Sequence, residues 1–463
     1  MWDIQLNRSG EASLQYQLFR ILKDGILSGK LAAGEALPST RELAKELGVS
    51  RNTVCAAYDM LWTEGYILNR PGAPSRVAEG LSLRLPEKPD TPRKADKQVM
   101  NIRWDFATGK PDLTAFPWKQ WNEGLKQAAE SLTETQFAYT GPKGYAPLCE
   151  ALAGWLKRAR NLDVHARDIF ITSGSTQALY LLTEILHQNG RGFGLENPSH
   201  PGVRTMIRDK GYPLCWMPAD EHGADIAALQ GQALSAVYVT PSHQYPLGGI
   251  LPADRRAALI RLAEDRDFYI IEDDYDSEFR YTGTPISPIR AMSASRIVYV
   301  GTFSKTLFPA LRIGFVVLPE ALQQQWKHSR NYMDVQNPVL EQAALAWFLQ
   351  TRRMDKHIRR MKRLYGQKRQ TLLLSLHSTF GDTAIPQGDA SGLHIALRFP
   401  DYMFGEAFAK QCEKTGIRIL PVSKYAESAS AYHDTLLLGY GHLTMEQIEQ
   451  GVKALFDAVA AIK

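Results

Sequence analysis

"FYIIEDDYD", residues 268–276, is an apolar run that ends in acidic residues and a tyrosine. "RIVYVGTFSK", residues 296–305, repeats the pattern and ends in hydroxyls and a lysine. The runs "DIFITSG" and "ALSAVYVTPS" precede them, and segments with helical periodicity lie between. Strands that alternate with helices predict an α/β fold with a mostly parallel sheet between helices. Ligands bind at the carboxyl ends of such strands, so these polar ends form the candidate site.

A carboxylate and a lysine at neighbouring strand ends have a joint use with pyridoxal phosphate (PLP). Lys305 would form the Schiff base, and Asp273 would keep the pyridine nitrogen protonated. Tyr275 is placed to bind the ring hydroxyl. An ordinary buried ion pair would explain any one of these residues alone, so the PLP prediction depends on their occurring together.

A phosphate site is predicted from hydroxyls, an arginine and a helix start. Arginine binds phosphate in a bidentate manner. In "ITSGSTQAL", residues 171–179, a strand ends where a helix begins, and a helix N-terminus attracts anions. The predicted phosphate residues are Gly174, Ser175, Thr176, Thr302, Ser304 and Arg312.

Two further loops contribute candidate cofactor contacts. His200, in "ENPSHPG", could stack on the cofactor ring, although an ordinary loop histidine is an equally good interpretation. Tyr245, in "TPSHQYPLGG", follows another strand together with His243 and Gln244.

The N-terminal stretch "LPSTRELAKELGVSRNTV", residues 37–54, has the pattern of a helix-turn-helix. Ser39 and Glu42 form a capping box, Gly48 suits a helix end, and Ser50 caps a second helix. "GYILNRPGAPSRVA", residues 65–78, predicts a hairpin or wing. The residues predicted to face inward are Leu43, Ala44, Leu47, Val54, Ala57 and Leu61.

The start of the second helix predicts contacts with double-stranded DNA, since recognition helices present this end to bases and phosphates. Residues 1–79 contain nine basic and nine acidic residues, so affinity must come from their arrangement. A small helical domain with solvated arginines is the alternative. The predicted DNA-binding residues are Ser39, Thr40, Arg41, Ser50, Arg51, Asn52, Thr53, Arg70 and Arg76.

The sequence pattern divides the chain into a DNA-binding domain at 1–79, an exposed linker at 80–101 and an α/β domain at 102–463. The composition, 44% apolar and 22% charged, is that of a globular protein with a large core. No apolar run approaches the roughly 18 residues of a membrane span, and no secretion signal opens the sequence. Four separated cysteines form no metal or disulfide pattern. We therefore expect a cytoplasmic protein without a metal site.

Residues 10–79 resemble the GntR family of bacterial winged-helix regulators. Residues 102–463 resemble a fold-type I, aspartate aminotransferase-like PLP domain, also through "ATGKPDLTAFPWKQW", "YTGPKGYAPLCEAL" and "SGLHIALRF". The combination resembles the MocR/GabR family of bacterial transcription regulators. That resemblance implies the same roles for Lys305, Asp273 and Tyr275. It also implies a head-to-tail, domain-swapped homodimer in which Tyr139 reaches the partner's phosphate.

The sequence departs from the aminotransferase pattern where an amino-acid substrate would bind. An arginine that holds the substrate carboxylate is replaced by Leu437, in "TLLLGYGHL". Tyr245 stands where aminotransferases usually have an asparagine that contacts the ring hydroxyl. His200 stands where they usually have a tyrosine or tryptophan that stacks on the ring. GABA-responsive family members carry an arginine where this chain has Gly202.

These features predict a PLP-dependent transcription regulator whose effector is PLP or a PLP-amine adduct, with vitamin B6 synthesis as a candidate target. One alternative is a regulator that responds to an amino acid or amine, either through a ligand without a carboxylate or through Arg204. Another is an active aminotransferase with an appended DNA-binding domain, although at most slow transamination is expected. The third alternative is a DNA-binding domain joined to a domain that serves only for dimerisation.

Overall fold

A computed structural model of the protein describes residues 4–8, 10–70, 72–81, 101–388, 390–428 and 430–462. It divides into two units, Met1–Gln98 and Val99–Lys463. Most of the predicted linker, at 82–100, lies outside the described residues. No described helix is long and apolar enough to cross a membrane.

The first unit is a winged helix-turn-helix, as predicted. Its helices are α1 (Leu14–Leu27), α2 (Thr40–Leu47) and α3 (Arg51–Thr63), and its wing pairs β1 (Ile67–Leu68) with β2 (Arg76–Val77) in antiparallel fashion. The predicted capping box is present, because Ser39 Oγ accepts from the Glu42 amide at 3.3 Å and the Glu42 carboxylate accepts from the Ser39 amide at 3.0 Å. Gly48 ends α2 with φ 61°, and Ser50 caps α3.

The core of this unit is small and is shared by all three helices and the wing. Of the residues predicted to face inward, Leu47 is only partly buried and the other five are buried. The buried cluster consists of Leu18, Phe19, Leu22, Ile26, Leu31, Leu37, Leu43, Ala44, Val54, Ala57, Tyr58, Leu61, Ile67 and Val77.

The second unit contains the α/β domain. Its helices are α4 (Trp118–Ser131), α5 (Glu134–Phe137), α6 (Ala146–Arg160), α7 (Ser175–Ile185), α8 (Pro201–Asp209), α9 (Ala253–Arg266), α10 (Glu320–Met333), α11 (Val339–Gln350), α12 (Arg353–Phe380), α13 (Glu406–Lys414) and α14 (Met445–Ala460). Its strands are β3 (Trp104–Asp105), β4 (Ile169–Thr172), β5 (Gly192–Asn197), β6 (Leu214–Asp220), β7 (Gly223–Ala224), β8 (Leu234–Val239), β9 (Tyr269–Asp274), β10 (Ile297–Thr302), β11 (Gly314–Val317), β12 (Ile385–Gln387), β13 (His394–Arg398), β14 (Ile417–Arg418), β15 (Leu420–Pro421) and β16 (Thr435–Gly439).

The main sheet has eight strands in the order β4-β11-β10-β9-β8-β5-β6-β7. The strands from β10 through β6 pair in parallel, whereas β11 and β7 are antiparallel to their neighbours. This confirms the predicted mostly parallel sheet. A smaller antiparallel sheet, β12-β13-β16-β15, forms a second lobe, and β14 pairs with β3.

The apolar strand runs are explained by burial on both faces of the main sheet. Successive residues of β10 enter different apolar clusters, with Val298 and Val300 in one and Tyr299 in the other. The same alternation separates Phe170 from Ile171 in β4. Because side chains alternate between faces, a strand covered on both faces must be apolar throughout. Such a run turns polar only where the strand leaves the core, at its end.

A buried ion pair fixes the end of β9 to α6. Arg160 donates from Nε and Nη2 to Asp274 Oδ2 at 2.9 and 2.6 Å, and the Tyr299 hydroxyl donates to the same oxygen at 2.6 Å. Both charged side chains are only 2% exposed. Asp274 is the direct neighbour of Asp273, so this pair also sets the position of the candidate site.

We predict that Asp274→Asn destabilises the second unit by about 3–5 kcal/mol, because it leaves Arg160 buried without its counter-ion. The free energy of unfolding, from a urea titration, measures the effect. Asp163→Asn is the matched control, since Asp163 pairs with Lys157 at the surface and exposed pairs stabilise little. Equal losses in the two variants would contradict the structural role of the buried pair.

Candidate cofactor site and nucleic-acid interface

A cavity of about 320 Å³ lies at the carboxyl ends of the central strands. It is lined by ten of the residues predicted to bind a cofactor: Ser175, Thr176, His200, Tyr245, Asp273, Tyr275, Thr302, Ser304, Lys305 and Arg312. Two predicted residues are not part of its lining. Gly174 lies behind Arg312, and Tyr139 is 87% exposed on the surface.

Lys305 projects into this cavity from the loop after β10. Its Nζ donates to the carbonyl of Gly109 at 3.0 Å. Gly109 has φ +74°, and a Cβ there would lie 2.3 Å from Nζ, so the close approach requires glycine. Burial lowers the pKa of Lys305, and the carboxylates of Asp276 and Asp273 oppose this effect. A lowered pKa increases the neutral amine that attacks an aldehyde.

Asp273 presents one carboxylate oxygen that no protein donor reaches. Its Oδ2 accepts from the Tyr238 hydroxyl at 2.8 Å, whereas Oδ1 is buried without a partner. Burial raises the pKa of Asp273 to about 7. Buried polar atoms are normally hydrogen-bonded, so Oδ1 indicates a donor supplied by a ligand. The protonated pyridine nitrogen of PLP is such a donor, and the residues therefore fit this cofactor.

The phosphate residues meet at the start of α7. Gly174 precedes this helix with φ +80°, and a Cβ there would be only 3.0 Å from the Arg312 guanidinium. Thr302 Oγ1 and Ser304 Oγ are 3.1 Å apart. Helix amides, hydroxyls and a guanidinium together suit a phosphate group.

His200 forms a wall of the cavity as a neutral ring. Its Nδ1 accepts from the Gly202 amide at 3.1 Å, which caps α8. Burial, with a contribution from Lys305, lowers the pKa of His200 to about 4. A Cβ at Gly202 would lie 2.9 Å from the His200 ring, so glycine makes room for this rotamer.

Tyr245 forms another wall, and its loop is held by a buried acid. Glu196 accepts from the Thr240 hydroxyl at 2.6 Å, and the Tyr245 amide donates to that hydroxyl at 2.9 Å. Burial raises the pKa of Glu196 to about 7. The Tyr245 hydroxyl lies 3.1 Å from Thr108 Oγ1.

Tyr275 lines the cavity, but its hydroxyl is directed to His243. It lies 3.0 Å from His243 Nδ1 and 3.1 Å from the His243 carbonyl. Its role as the partner of the ring hydroxyl stays a prediction.

Sequence reasoning missed several residues that the structure brings into the site, and four of them matter for its chemistry. They are Gly109, Tyr238, Asp276 and His394. Asp276 ends the acidic run "EDDYD", residues 272–276, so the sequence carried a signal for it. Tyr238 lay inside an apolar strand and gave no signal of its own.

The predicted loss of a carboxylate clamp agrees with the geometry. Leu437, on β16, is fully buried in an apolar cluster that includes Leu247 and Tyr425. Arg204, the alternative cation, donates to the carbonyls of Lys424 and Ala426 and does not line the cavity, so that expectation was wrong.

The predicted DNA-binding residues lie at the starts of α2 and α3 and on the wing. Arg41, Arg51, Asn52, Arg70 and Arg76 are exposed. Some of the nine have structural partners. The Ser39 and Ser50 hydroxyls cap helices, and Ser50 Oγ also lies 2.8 Å from Thr53 Oγ1. Arg51 Nε donates to Thr40 Oγ1 at 3.3 Å. Arg76 donates to the Gly34 carbonyl at 2.8 Å.

Two family models match the chain. The model for aminotransferase class I and II matches residues 104–455, and the model for bacterial regulatory proteins of the gntR family matches residues 14–77. PLP is the cofactor of the aminotransferase family, and the cavity carries the residues that this cofactor requires. PLP is therefore the cofactor of this chain.

Solved aminotransferases have the same fold as the second unit. The kynurenine aminotransferase of Pyrococcus horikoshii is 26% identical, with a TM-score of 0.73, over 79% of this chain and 92% of that one. LysN, the α-aminoadipate aminotransferase of Thermus thermophilus, is also 26% identical, with a TM-score of 0.71, over 78% and 93%.

Full-length relatives combine both units. The probable rhizopine catabolism regulatory protein MocR of Rhizobium meliloti is 30% identical over 99% of this chain and 96% of its own length. The pyridoxine biosynthesis transcriptional regulator PdxR of Corynebacterium glutamicum is 31% identical over 99% and 98%. The chain therefore belongs to the MocR/GabR-type transcription regulators, in which a gntR-type helix-turn-helix domain is joined to a class I/II aminotransferase domain.

Proposed function

We propose that this regulator binds operator DNA and that PLP itself is the signal to which it responds. The observation that carries the proposal is a cavity that contains the candidate Schiff-base lysine, pyridine partner and phosphate residues but no further cation for a substrate carboxylate. Lys305 and Arg312 are the only arginine or lysine residues among those that line the cavity in the described part of the chain. PLP would occupy both of them.

The likeness to PdxR supports the same proposal, since that relative is a transcriptional regulator of pyridoxine biosynthesis. We extend this target to the present chain as the preferred hypothesis. A ligand shifts a conformational equilibrium only through different affinities for the two states, so PLP must bind one arrangement of the regulator more tightly. The protein would act in the bacterial cytoplasm, where its DNA target lies.

A homodimer is part of the proposal. Tyr139 and Tyr332 are 87% and 83% exposed, and Phe137 is also exposed. The Thr140 amide donates to Gln336 Oε1 at 2.6 Å, which holds the segment around Tyr139 beside the end of α10. Exposed aromatic side chains of this kind favour a protein partner. A second copy would let Tyr139 reach the neighbouring phosphate and would place two recognition helices on two half-sites.

A slow aminotransferase is the second candidate, because Lys305 is retained and the solved aminotransferases are similar to this unit. The buried Leu437 opposes it, since a charge-assisted clamp for the substrate carboxylate is missing. Rapid conversion of the bound cofactor by common amino acids in a half-reaction assay would favour this candidate over a regulator.

We predict that PLP alone changes the affinity of the cofactor-free protein for the DNA upstream of its own gene. A coupling of 1–3 kcal/mol, or about 5–150-fold, is typical of such regulation. Gel-shift titrations at one stated salt concentration measure it, because DNA affinity depends steeply on salt. Lys305→Ala is the control and should lose most of the response. An unchanged affinity and footprint with PLP would contradict the proposal.

We predict that covalent capture of PLP by Lys305 becomes faster with rising pH, with a midpoint below the ordinary lysine value of 10.5. Burial lowers the pKa of this amine, and only its neutral form attacks the aldehyde. Borohydride trapping and mass spectrometry measure the rate at each pH. Nα-acetyl-lysine in solution is the control, and an identical midpoint for the two amines would contradict the effect of burial.

We predict that Asn52→Ala weakens operator binding by about 1–3 kcal/mol and relaxes specificity at one base pair, because Asn52 lies exposed at the start of α3. Arg41→Ala should weaken all sequences alike and reduce the salt slope by about one charge. Arg20→Ala, exposed on α1, is the matched control and should leave affinity unchanged. Equal effects of Arg20 and Arg41 would contradict the predicted interface.

A further inference from the structure

Asp276 is a second carboxylate in the cavity, and the PLP cradle described above does not use it. It follows β9 in the loop and lines the cavity together with Lys305. Its side chain is only 2% exposed. His243 Nδ1 lies 3.0 and 3.2 Å from its two oxygens.

The hydrogen-bond geometry indicates which atoms carry protons. With Asp276 as a carboxylate, which only accepts, His243 Nδ1 is the donor of this contact. The Tyr275 hydroxyl then cannot donate to Nδ1 and donates instead to the His243 carbonyl, at 3.1 Å. In this arrangement a histidine orients the Asp276 carboxylate.

The small lobe packs directly against the Asp276–His243 pair, with no room for a side chain at position 392. A Cβ at Gly392 would lie 2.5 Å from Asp276 Oδ2 and 2.2 Å from His243 Cε1. Gly392 is itself fixed, because its amide donates to the Phe279 carbonyl at 2.8 Å. Its carbonyl accepts from the Tyr281 hydroxyl at 2.7 Å. The position of Asp276 is therefore set by both lobes.

The other ionisable groups around Lys305 leave Asp276 as its counter-charge. Asp273, at the end of β9, is reserved for the pyridine nitrogen. Burial lowers the pKa of His200, which caps α8, and of His394 on β13, so both rings are neutral. Burial also raises the pKa of each phenol in the cavity, namely Tyr238, Tyr245 and Tyr275. Of the charges that raise the pKa of Lys305, Asp276 has the largest effect.

We propose that Asp276, oriented by His243, is the electrostatic partner of the Lys305 nitrogen in the PLP-bound protein and keeps that nitrogen protonated. Among the described residues that line the cavity, the only cation besides Lys305 is Arg312, the candidate phosphate ligand. His243 is a positioning residue in this arrangement. The proposal depends on PLP binding and is independent of whether PLP is the regulatory signal.

The test is a pH titration of the visible absorbance of the full-length, PLP-loaded protein. A nearby opposite charge stabilises a protonated group by about 1–3 pKa units. We expect Asp276→Asn to lower the titration midpoint by about one unit or more. His243→Gln should lower it less, because the carboxylate remains but loses its donor.

Asp434→Asn is the matched control, since it removes the same charge from a pair with Arg398 outside this cavity. Its midpoint should equal that of the natural protein. An unchanged or higher midpoint in Asp276→Asn would overturn the proposal. If thermal melting shows that this variant does not fold, His243→Gln decides, and an unchanged midpoint there overturns it.

The same measurements separate this proposal from the proposed signal. A protein that binds PLP but shows no PLP-dependent change in operator affinity would refute PLP as the signal and leave the titration result standing. A protein with no PLP absorbance band would refute both.

Discussion

One buried carboxylate oxygen, Asp273 Oδ1, is the constraint around which the site is arranged. A carboxylate in the core is costly unless its oxygens are paired. Tyr238, on the neighbouring strand, satisfies one oxygen and leaves the other directed at the cavity. The adjacent Arg160–Asp274 pair holds the strand end in place. A pyridine nitrogen of PLP would pair the remaining oxygen. Cofactor binding would therefore offset the cost of burying Asp273 in the sheet.

The sequence was most informative where the decisive contacts are local. The Ser39–Glu42 capping box lies within four residues, and the structure reproduces it. Lys305 was recognisable because polar residues that follow apolar strand runs converge at one edge of a parallel sheet. Tyr238 could not be found in this way, because its role depends on the register between two strands. Arg204 was misjudged because its partners, carbonyls more than 200 residues away, are visible only in the fold.

The missing clamp is part of the core and not merely a substitution in the cavity wall. Leu437 packs with Leu247 and Tyr425 in an apolar cluster. An arginine at this position would need a counter-ion or access to solvent. The buried cluster around Leu437 contains no acidic side chain. The small lobe is thus packed with apolar side chains at the position where a carboxylate clamp would need a charged one. The difference from an aminotransferase therefore lies in the packing of the core around Leu437 as well as in the residues that line the cavity.

Gly202 has a consequence for how such regulators diverge. The His200 ring occupies the space of any side chain at position 202, and the Gly202 amide holds that ring in place. An arginine could therefore enter at position 202 only after His200 had been exchanged or had changed its rotamer. The two positions are therefore coupled. On an evolutionary path from this chain toward a regulator that recognises carboxylates, changes at positions 200 and 202 must occur in a fixed order. His200 must be exchanged or must change its rotamer first.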